Sequence, residues 1–256
     1  DPIDINLERI GGHWPSLPSA ARSDSAVAAF LELHVEQGAV LEQRRDAIGI
    51  VEGIVGQRRF SIHVKGQANH AGTTPMGLRH DALAAASRIV LAVEEMARCH
   101  PGDPVATVGR LEVWPNAANV VPGSVSMTVD IRDLDPTVLD QLVSCLQDEL
   151  ESIGLAPGCA IRLEPQFQVS PTPADALVMA TIESVAEDLG LSMSRLPSRA
   201  SHDAQEIGRR WPMGMIFVPS REGLSHSAAE FTSDSQCLAG TAVLLHTLER
   251  LDRVLS

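Results

Sequence analysis

The middle of the chain shows a regular succession of hydrophobic and polar positions. Phe60, Ile62 and Val64 alternate with polar residues, which is typical of a strand with one solvent-exposed face. Apolar residues at spacings of three and four predict two amphipathic helices, the first through Leu83, Ala86, Val90, Val93 and Ala97, the second through Leu139, Leu142, Leu146, Leu150 and Ile153. With strands near 106–113, 124–132 and 160–168, the order β-α-β-β-α-β predicts a ferredoxin-like unit, an antiparallel sheet with two helices on one face.

The flanking segments follow another pattern, in which short apolar strands alternate with helices. Strands are predicted at 30–35, 48–55, 192–196 and 213–218, and helices at 36–44, 174–189, from about His202, and at 235–254. This alternation predicts an α/β domain made of residues 1–57 and 170–256, with residues 58–169 inserted into it. The two pieces supply only about four strands. We therefore expect an incomplete sheet that exposes apolar surface or an unpaired strand edge.

Composition excludes some classes of function. A formal charge of −13 argues against a nucleic-acid surface, which needs clustered Lys and Arg. No apolar run is long enough to span a bilayer, and no signal peptide is visible. The four cysteines form no CxxC pair, so a thiolate zinc site or a disulfide framework is not indicated, and a cytoplasmic location fits best.

Two histidines are candidate metal ligands. His34 lies near the C-terminal end of a predicted strand, where ligands bind in open α/β sheets, and neutral imidazole suits divalent transition metals. His226 lies in the loop after the 213–218 strand, with Glu230 four residues on to orient the loop or a ligand. Each histidine taken alone is also compatible with a structural role.

Other polar residues allow both a functional and a structural interpretation. His70, in a Gly/Thr-rich loop, is able to donate to a developing oxyanion or simply to cap a turn, and Asn119 lies in a second such loop. Arg132 suits a substrate carboxylate, or a surface ion pair with Asp130 or Asp133. The run Ser201-His202-Asp203 is not a catalytic triad, because adjacent residues cannot form the relay; Asp203 is expected to open the following helix.

Six motifs in order resemble the M20 family of zinc-peptidase-like amidohydrolases. They are LELHVEQG (31–38), GQANHAGTTPM (66–76), NAANVVPG (116–123), DIRD (130–133), SRASHDA (198–204) and GLSHSAAEFT (223–232). They are most similar to the branch of N-carbamoyl-L-amino-acid hydrolases, allantoate amidohydrolases and β-ureidopropionases. The resemblance covers essentially the whole chain.

The resemblance implies a zinc-peptidase-like α/β catalytic domain whose inserted ferredoxin-like domain, called the lid below (58–169), also forms a homodimer interface. It implies a site for two divalent ions (Zn, Mn, Co or Ni), with His34 ligating one and His226 the other. His70 would polarise the scissile carbonyl, usually from the partner subunit, and Asn119 would contact substrate. Arg132 would bind the carboxylate of a small ureido or carbamoyl substrate, and hydrolysis would release ammonia and carbon dioxide. Gln37, His202 and Asp203 match positions that line the pocket.

Two departures from the family pattern affect these expectations. The family's first metal ligands and its Glu-Glu pair, which supplies the base, would lie upstream of residue 1, so we expect this chain alone to be inactive and to bind metal weakly or not at all. Arg199 and Ser201 replace residues that are usually glycine, which predicts a bulkier, charged pocket wall. The alternatives are a non-catalytic dimerising module, or a peptidase or N-acyl-amino-acid deacylase of the same family.

Overall fold

The computed structural model describes residues 2–155 and 158–255, which form an α/β fold. The α-helices are α1 (Ile3–Arg9), α2 (Val40–Arg44), α3 (Ala82–Arg98), α4 (Pro136–Leu155), α5 (Ala176–Asp188), α6 (Asp203–Ile207) and α7 (Asp234–Leu255). The strands are β1 (Phe30–Val35), β2 (Ile48–Ile54), β3 (Gly56–Lys65), β4 (Asn69–His70), β5 (Val105–Trp114), β6 (Val120–Val121), β7 (Ser124–Asp133), β8 (Ala160–Val169), β9 (Thr172–Pro173), β10 (Met193–Ser198) and β11 (Met213–Val218). Short 3-10 helices are Trp14–Ala20, Asp24–Ala26, Met76–Leu78 and Arg221–Gly223.

The α/β sheet, built from the segments outside the lid, has the order β1-β11-β2-β10, with β9 pairing to β2 as well. The β1–β11 and β2–β10 pairs are parallel, whereas β11 and β2 are antiparallel. The predicted α/β class is therefore confirmed. The inner strand β11 is buried along its whole length, whereas β1, at the edge of the sheet, is only half-buried throughout.

The two faces of this sheet carry different helices. On one face Ile216 and Val218 pack with α5 and α7; on the other, Met215 and Phe217 pack with α2 and α6. Side chains alternate between the faces of a strand, so the residues of β1 divide in the same way. Leu31, Leu33 and Val35 pack in the core with α5 and α7, whereas Phe30 packs in the core with α2 and α6. Glu32 and His34 consequently project on the side of α6.

The lid has the predicted ferredoxin-like arrangement. Its sheet has the order β5-β7-β3-β8 with all pairs antiparallel, and its first strand already begins at Gly56. The inner face of β7 and the leucine stripe of α4 are buried together as their spacing predicts. In α3 the buried stripe differs from the pattern noted in the sequence, because several sides of this Ala- and Val-rich helix are apolar; it consists of Ala82, Ala85, Ala86, Ile89, Val93 and Met96.

The first helix after β1 is shorter than predicted. Instead of starting at Glu36 it starts at Val40, because Gln37 has a φ of 59° and breaks the helical path. The carboxylate of Glu36 then accepts from the backbone N–H groups of Val40 (2.8 Å) and Leu41 (2.9 Å). Glu36 is therefore the cap of α2 rather than a member of it.

None of the helices within the described residues is long and apolar enough to cross a membrane.

Candidate functional site

The loops that follow β1 and β11 are held together at the ends of these neighbouring strands. The backbone N–H of Gln37 donates to Ser220 Oγ (3.0 Å), and its side-chain Nε2 donates to Ser225 Oγ (3.0 Å). His226, next in the chain, has a φ of 54°, and its backbone N–H donates to the carboxylate of Glu230 (2.7 Å). Glu230 thus orients the loop that carries His226, and Gln37 fixes that loop beside the end of β1.

A cluster of Glu32, His34 and His202 lies between β1 and the start of α6. Potential ligand atoms of the three residues lie within 4.8 Å of one another. The rings of His34 and His202 meet edge to face, with centroids 4.6 Å apart. Glu32 is not among the site residues predicted from the sequence, although its position two residues before His34 in an apolar strand places both side chains on one face.

Two of the three members of this cluster, Glu32 and His202, already form hydrogen bonds with other protein groups. Glu32 Oε2 accepts from the backbone N–H of Ala204 (2.9 Å), which satisfies the N-terminus of α6, and Oε1 lies 3.6 Å from His202 Nδ1. His202 Nε2 is hydrogen-bonded to Ser198 Oγ (2.8 Å). Burial, with the nearby His34 imidazole, lowers the pKa of His202 from 6.5 to about 4, so His202 is neutral at pH 7. Asp203 is the first residue of α6, as expected, and the N-cap residue before it, His202, makes no side-chain capping hydrogen bond.

A cavity of about 470 Å³ lies over Leu196 and Phe217, on the side of the sheet that carries α2 and α6. It is lined by Glu36, Gln37, Gly38, Val40, Arg44, Asp103, Arg132, Arg195, Leu196, Pro197, Arg199, Ala200, Phe217, Ser225 and His226. The structure thus brings Gln37, Arg132 and His226 to one cavity. His202 lies against its wall, with its ring centroid 5.8 Å from that of Phe217.

Arg132 reaches this cavity from the end of lid strand β7. Its Nε donates to Asp130 Oδ1 (2.8 Å) and its Nη1 donates to the carbonyl of Arg199 (2.8 Å), while Nη2 lies 3.4 Å from Asp130 Oδ2. The ion pair with Asp130 considered in the sequence analysis is therefore present. Of the five guanidinium N–H groups, one on each terminal nitrogen remains without an acceptor in the described part of the chain.

Asp130 is shared by several donors. Burial alone would raise its pKa, but hydrogen bonds from Arg132, Arg59 and Gln57 outweigh that effect and hold the pKa below its ordinary value of 3.8. The carboxylate is thus fully ionised at neutral pH. With two arginines on one carboxylate, the group keeps a net positive charge, and one of the two arginines, Arg132, lines the cavity.

His70 and Asn119 lie together on an exposed part of the lid, and neither lines the cavity. Strands β4 and β6 form a two-stranded ribbon there, extended by a hydrogen bond from the N–H of Ala71 to the carbonyl of Asn119 (2.9 Å). His70 Nδ1 accepts from the N–H groups of Gly72 (3.0 Å) and Thr73 (3.2 Å). The neutral ring therefore carries its proton on Nε2, which makes Nε2 a donor directed away from the turn.

Comparison with known proteins supports the motif resemblance. A model described as peptidase family M20/M25/M40 matches residues 9–250. The chain belongs to this family. It is 40% identical over 235 residues to an N-carbamoyl-L-amino acid amidohydrolase of Geobacillus stearothermophilus, covering 92% of this chain and 57% of that protein. It is also 40% identical over 246 residues to an allantoate amidohydrolase of Escherichia coli K12, covering 96% of this chain and 59% of that protein.

This M20 family member also matches a solved structure over nearly all of its length. The crystal structure of an amidase of the hydantoinase/carbamoylase family from Burkholderia multivorans matches with a TM-score of 0.89 and 37% identity. The match covers 98% of this chain and 59% of that one. The chain thus spans less than two thirds of the length of the relatives that it matches.

The donor set fits the divalent metal that the M20 family implies. His34 Nδ1–H donates to the carbonyl of Val35 (2.8 Å), so the lone pair of the neutral ring lies on Nε2. Nε2 has no hydrogen-bond partner within residues 2–155 and 158–255, and a backbone carbonyl on the other ring nitrogen is the usual support of a metal-binding histidine. The ring of His226 is equally free of partners in that part of the chain. Glu32 and His202 are engaged elsewhere, which favours a supporting role for them behind His34.

Proposed function

We propose that this chain takes part in metal-dependent hydrolysis of linear amides of the ureido or carbamoyl type, such as an N-carbamoyl-L-amino acid or allantoate, with release of ammonia and carbon dioxide. The observation that carries this proposal is the pairing, in one cavity, of a carboxylate anchor with a metal-ligand candidate. Arg132 offers two unpaired N–H groups there, and His226 lines the same cavity. The relatives named above act on substrates of this type.

Each residue then has a definite task. Arg132 binds the substrate carboxylate through two parallel N–H groups and fixes the orientation of the ureido group. Gln37 holds the loop of His226, while His202 and Asp203 set the start of α6 behind His34. Divalent ions held by His34 and His226 would supply Lewis-acid polarisation of the scissile carbonyl and a more acidic attacking water.

Two lid residues complete the proposed machinery. His70 Nε2–H donates to the oxygen on which negative charge develops, and Asn119 contacts the substrate beside it. Since both lie outside the cavity of their own chain, we propose that they act on the substrate of a second copy, in a homodimer joined through the lid. Exposed apolar side chains nearby, Met76, Leu78 and Trp114, are 77%, 71% and 64% exposed and suit such an interface.

Metal content tests the core of this proposal. Purified protein is dialysed to equilibrium against zinc or manganese, and bound metal per chain is measured. Ammonia release from N-carbamoyl-L-amino acids and allantoate is followed in parallel, and we expect none from this chain alone. We expect weak binding that falls about tenfold or more in His34→Asn and His226→Asn, as loss of a metal ligand requires. His63→Asn, an exposed lid histidine, is the control and should bind as the unmodified protein does.

Equal metal binding by all four proteins would contradict the assignment of the ligands. Sedimentation at micromolar concentration tests the dimer separately, and a monomer there would contradict it.

A further inference from the structure

The cavity is rich in arginine although the chain as a whole is acidic. Its lining includes Arg44, Arg132, Arg195 and Arg199, against two carboxylates, Glu36 and Asp103. The whole chain has a formal charge of −13. Such a local excess of positive charge favours an anionic ligand.

The two carboxylates neutralise little of this charge. Both oxygens of Glu36 accept from the backbone N–H groups of α2, so that carboxylate is a helix cap. Asp103 reaches only one nitrogen of Arg199 (3.0 Å), and its side chain is 98% exposed. Exposed ion pairs of this kind contribute little and exchange readily with other anions.

The arginines differ in how strongly they are engaged. The guanidinium of Arg195 is directed to Glu183 on α5. Arg44 has no ion-pair partner in the part of the chain that the structure describes, but it lies exposed at the rim. The side chain of Arg199 is two thirds buried, and beyond the contact with Asp103 most of its N–H groups have no acceptor among the described residues.

Arg199 is also fixed relative to the carboxylate anchor. The backbone carbonyl of Arg199 accepts the Nη1–H of Arg132 (2.8 Å). The guanidinium of Arg199 is therefore carried by the same residue whose backbone holds the guanidinium of Arg132. A substrate held by Arg132 therefore lies within the same cavity as the side chain of Arg199. A single carboxylate would leave that second cation without a substrate partner.

We propose that Arg199 forms a second anion subsite, and that the preferred substrates are ureido acids with a second carboxylate, that is, N-carbamoyl derivatives of dicarboxylic amino acids. The inference rests on the proposed function and narrows its substrate class. The second carboxylate replaces Asp103 on Arg199, because the incoming group is held in the cavity whereas Asp103 is free to swing into solvent.

Calorimetric titration of the metal-free chain tests this without requiring hydrolysis. The probes are N-carbamoyl-L-aspartate and N-carbamoyl-L-asparagine, which have nearly the same size and differ by one charge. The aspartate derivative should bind about tenfold more tightly at low ionic strength, the effect of one charge-assisted hydrogen-bonded pair. In Arg199→Gln the ratio should fall to about one, whereas Arg195→Gln, the control for lost charge, should keep it.

A second variant works in the opposite direction. Asp103→Asn removes the competing carboxylate, so the preference for the aspartate derivative should rise, and a gain in affinity cannot result from a poorly folded variant. Equal binding of both probes by the unmodified chain would overturn the second subsite and leave the proposed function intact. A preference for the aspartate derivative that persists in Arg199→Gln would do the same. Binding of neither probe overturns the proposed function, and this inference with it.

Discussion

The core of the lid, between α4 and its sheet, and the edge of the α/β sheet, at β1 and α7, differ in how completely the described residues cover them. In the lid, the leucine stripe of α4 and the inner face of β7 are buried against each other. In the α/β sheet, the edge strand β1 is half-buried along its whole length. The helix beside it, α7, leaves Leu238, Leu245 and Leu248 70%, 53% and 49% exposed.

The lid core contributes stability, whereas the edge of the α/β sheet carries a candidate metal ligand. The helix-covered face of the lid forms a closed core, and Asp130 on the other face of β7 pairs with Arg59 and Arg132. Nε2 of His34, which has no hydrogen-bond partner among the described residues, lies on the half-buried edge strand β1. Reactive groups are commonly carried by less covered segments that a well-packed scaffold positions.

The largest effect is expected in the lid core. Leu146→Ala removes a fully buried side chain at the centre of the α4 stripe. It should lower the free energy of unfolding by about 3 kcal/mol, through lost burial and the cavity left behind. Urea denaturation followed by circular dichroism measures this. A loss below about 1 kcal/mol would mean that the lid core is more loosely packed than the structure indicates.

A smaller effect that depends on pH is expected at Asp130. Asp130→Asn should cost about 2 kcal/mol at pH 7, because two arginines lose their charged acceptor. The folded pKa of Asp130 is below its ordinary value of 3.8, so its contribution is present above that pH and is lost as the pH falls through the folded pKa. The difference between the two proteins in urea denaturation should therefore shrink at pH 3, and a constant difference would contradict it.

In the α/β sheet, Glu32 offers the corresponding polar test. Glu32→Ala leaves the backbone N–H of Ala204 without its acceptor and should cost about 1 kcal/mol, a typical value for a lost helix-end contact. Glu32→Gln keeps an oxygen acceptor in place and should cost less than the alanine variant. Thermal unfolding of both variants measures the difference, and equal losses would show that the negative charge is what matters.

The smallest effect is expected on the outer side of α7. Leu248 lines a shallow groove with Leu31 and Leu251, yet it is 49% exposed. Leu248→Ala should change the free energy of unfolding by no more than about 0.5 kcal/mol. A loss as large as that of Leu146→Ala would mean that this surface is covered in solution, and the contrast between the two regions would disappear.

Regular one-sided burial explains what the sequence predicted well. The alternation in β7 and the leucine spacing in α4 identify their buried faces directly, because a single stripe of each element is apolar. In α3 the apolar residues surround more of the helix, so spacing alone does not select the buried stripe. The start of α2 was misplaced because the positive φ of Gln37 is not encoded in an apolar pattern.

The candidate site was predictable as motifs but not as contacts. The motifs predict the histidines and Arg132 as site residues, and the structure places Gln37, Arg132 and His226 in one cavity. The support behind His34 was missed, because Glu32 contacts Ala204, 172 residues away along the chain. No local pattern carries such a pairing; only the packing of α6 on β1 creates it.

The position of Arg132 has a mechanical consequence. The guanidinium joins two bodies, since it is bonded to Asp130 in the lid and to the carbonyl of Arg199 beside the sheet. An anion bound by this guanidinium would contact a side chain that is bonded to both parts of the molecule. A change in the orientation of the lid would then change anion binding, and by thermodynamic reciprocity anion binding would change the orientation of the lid to the same extent.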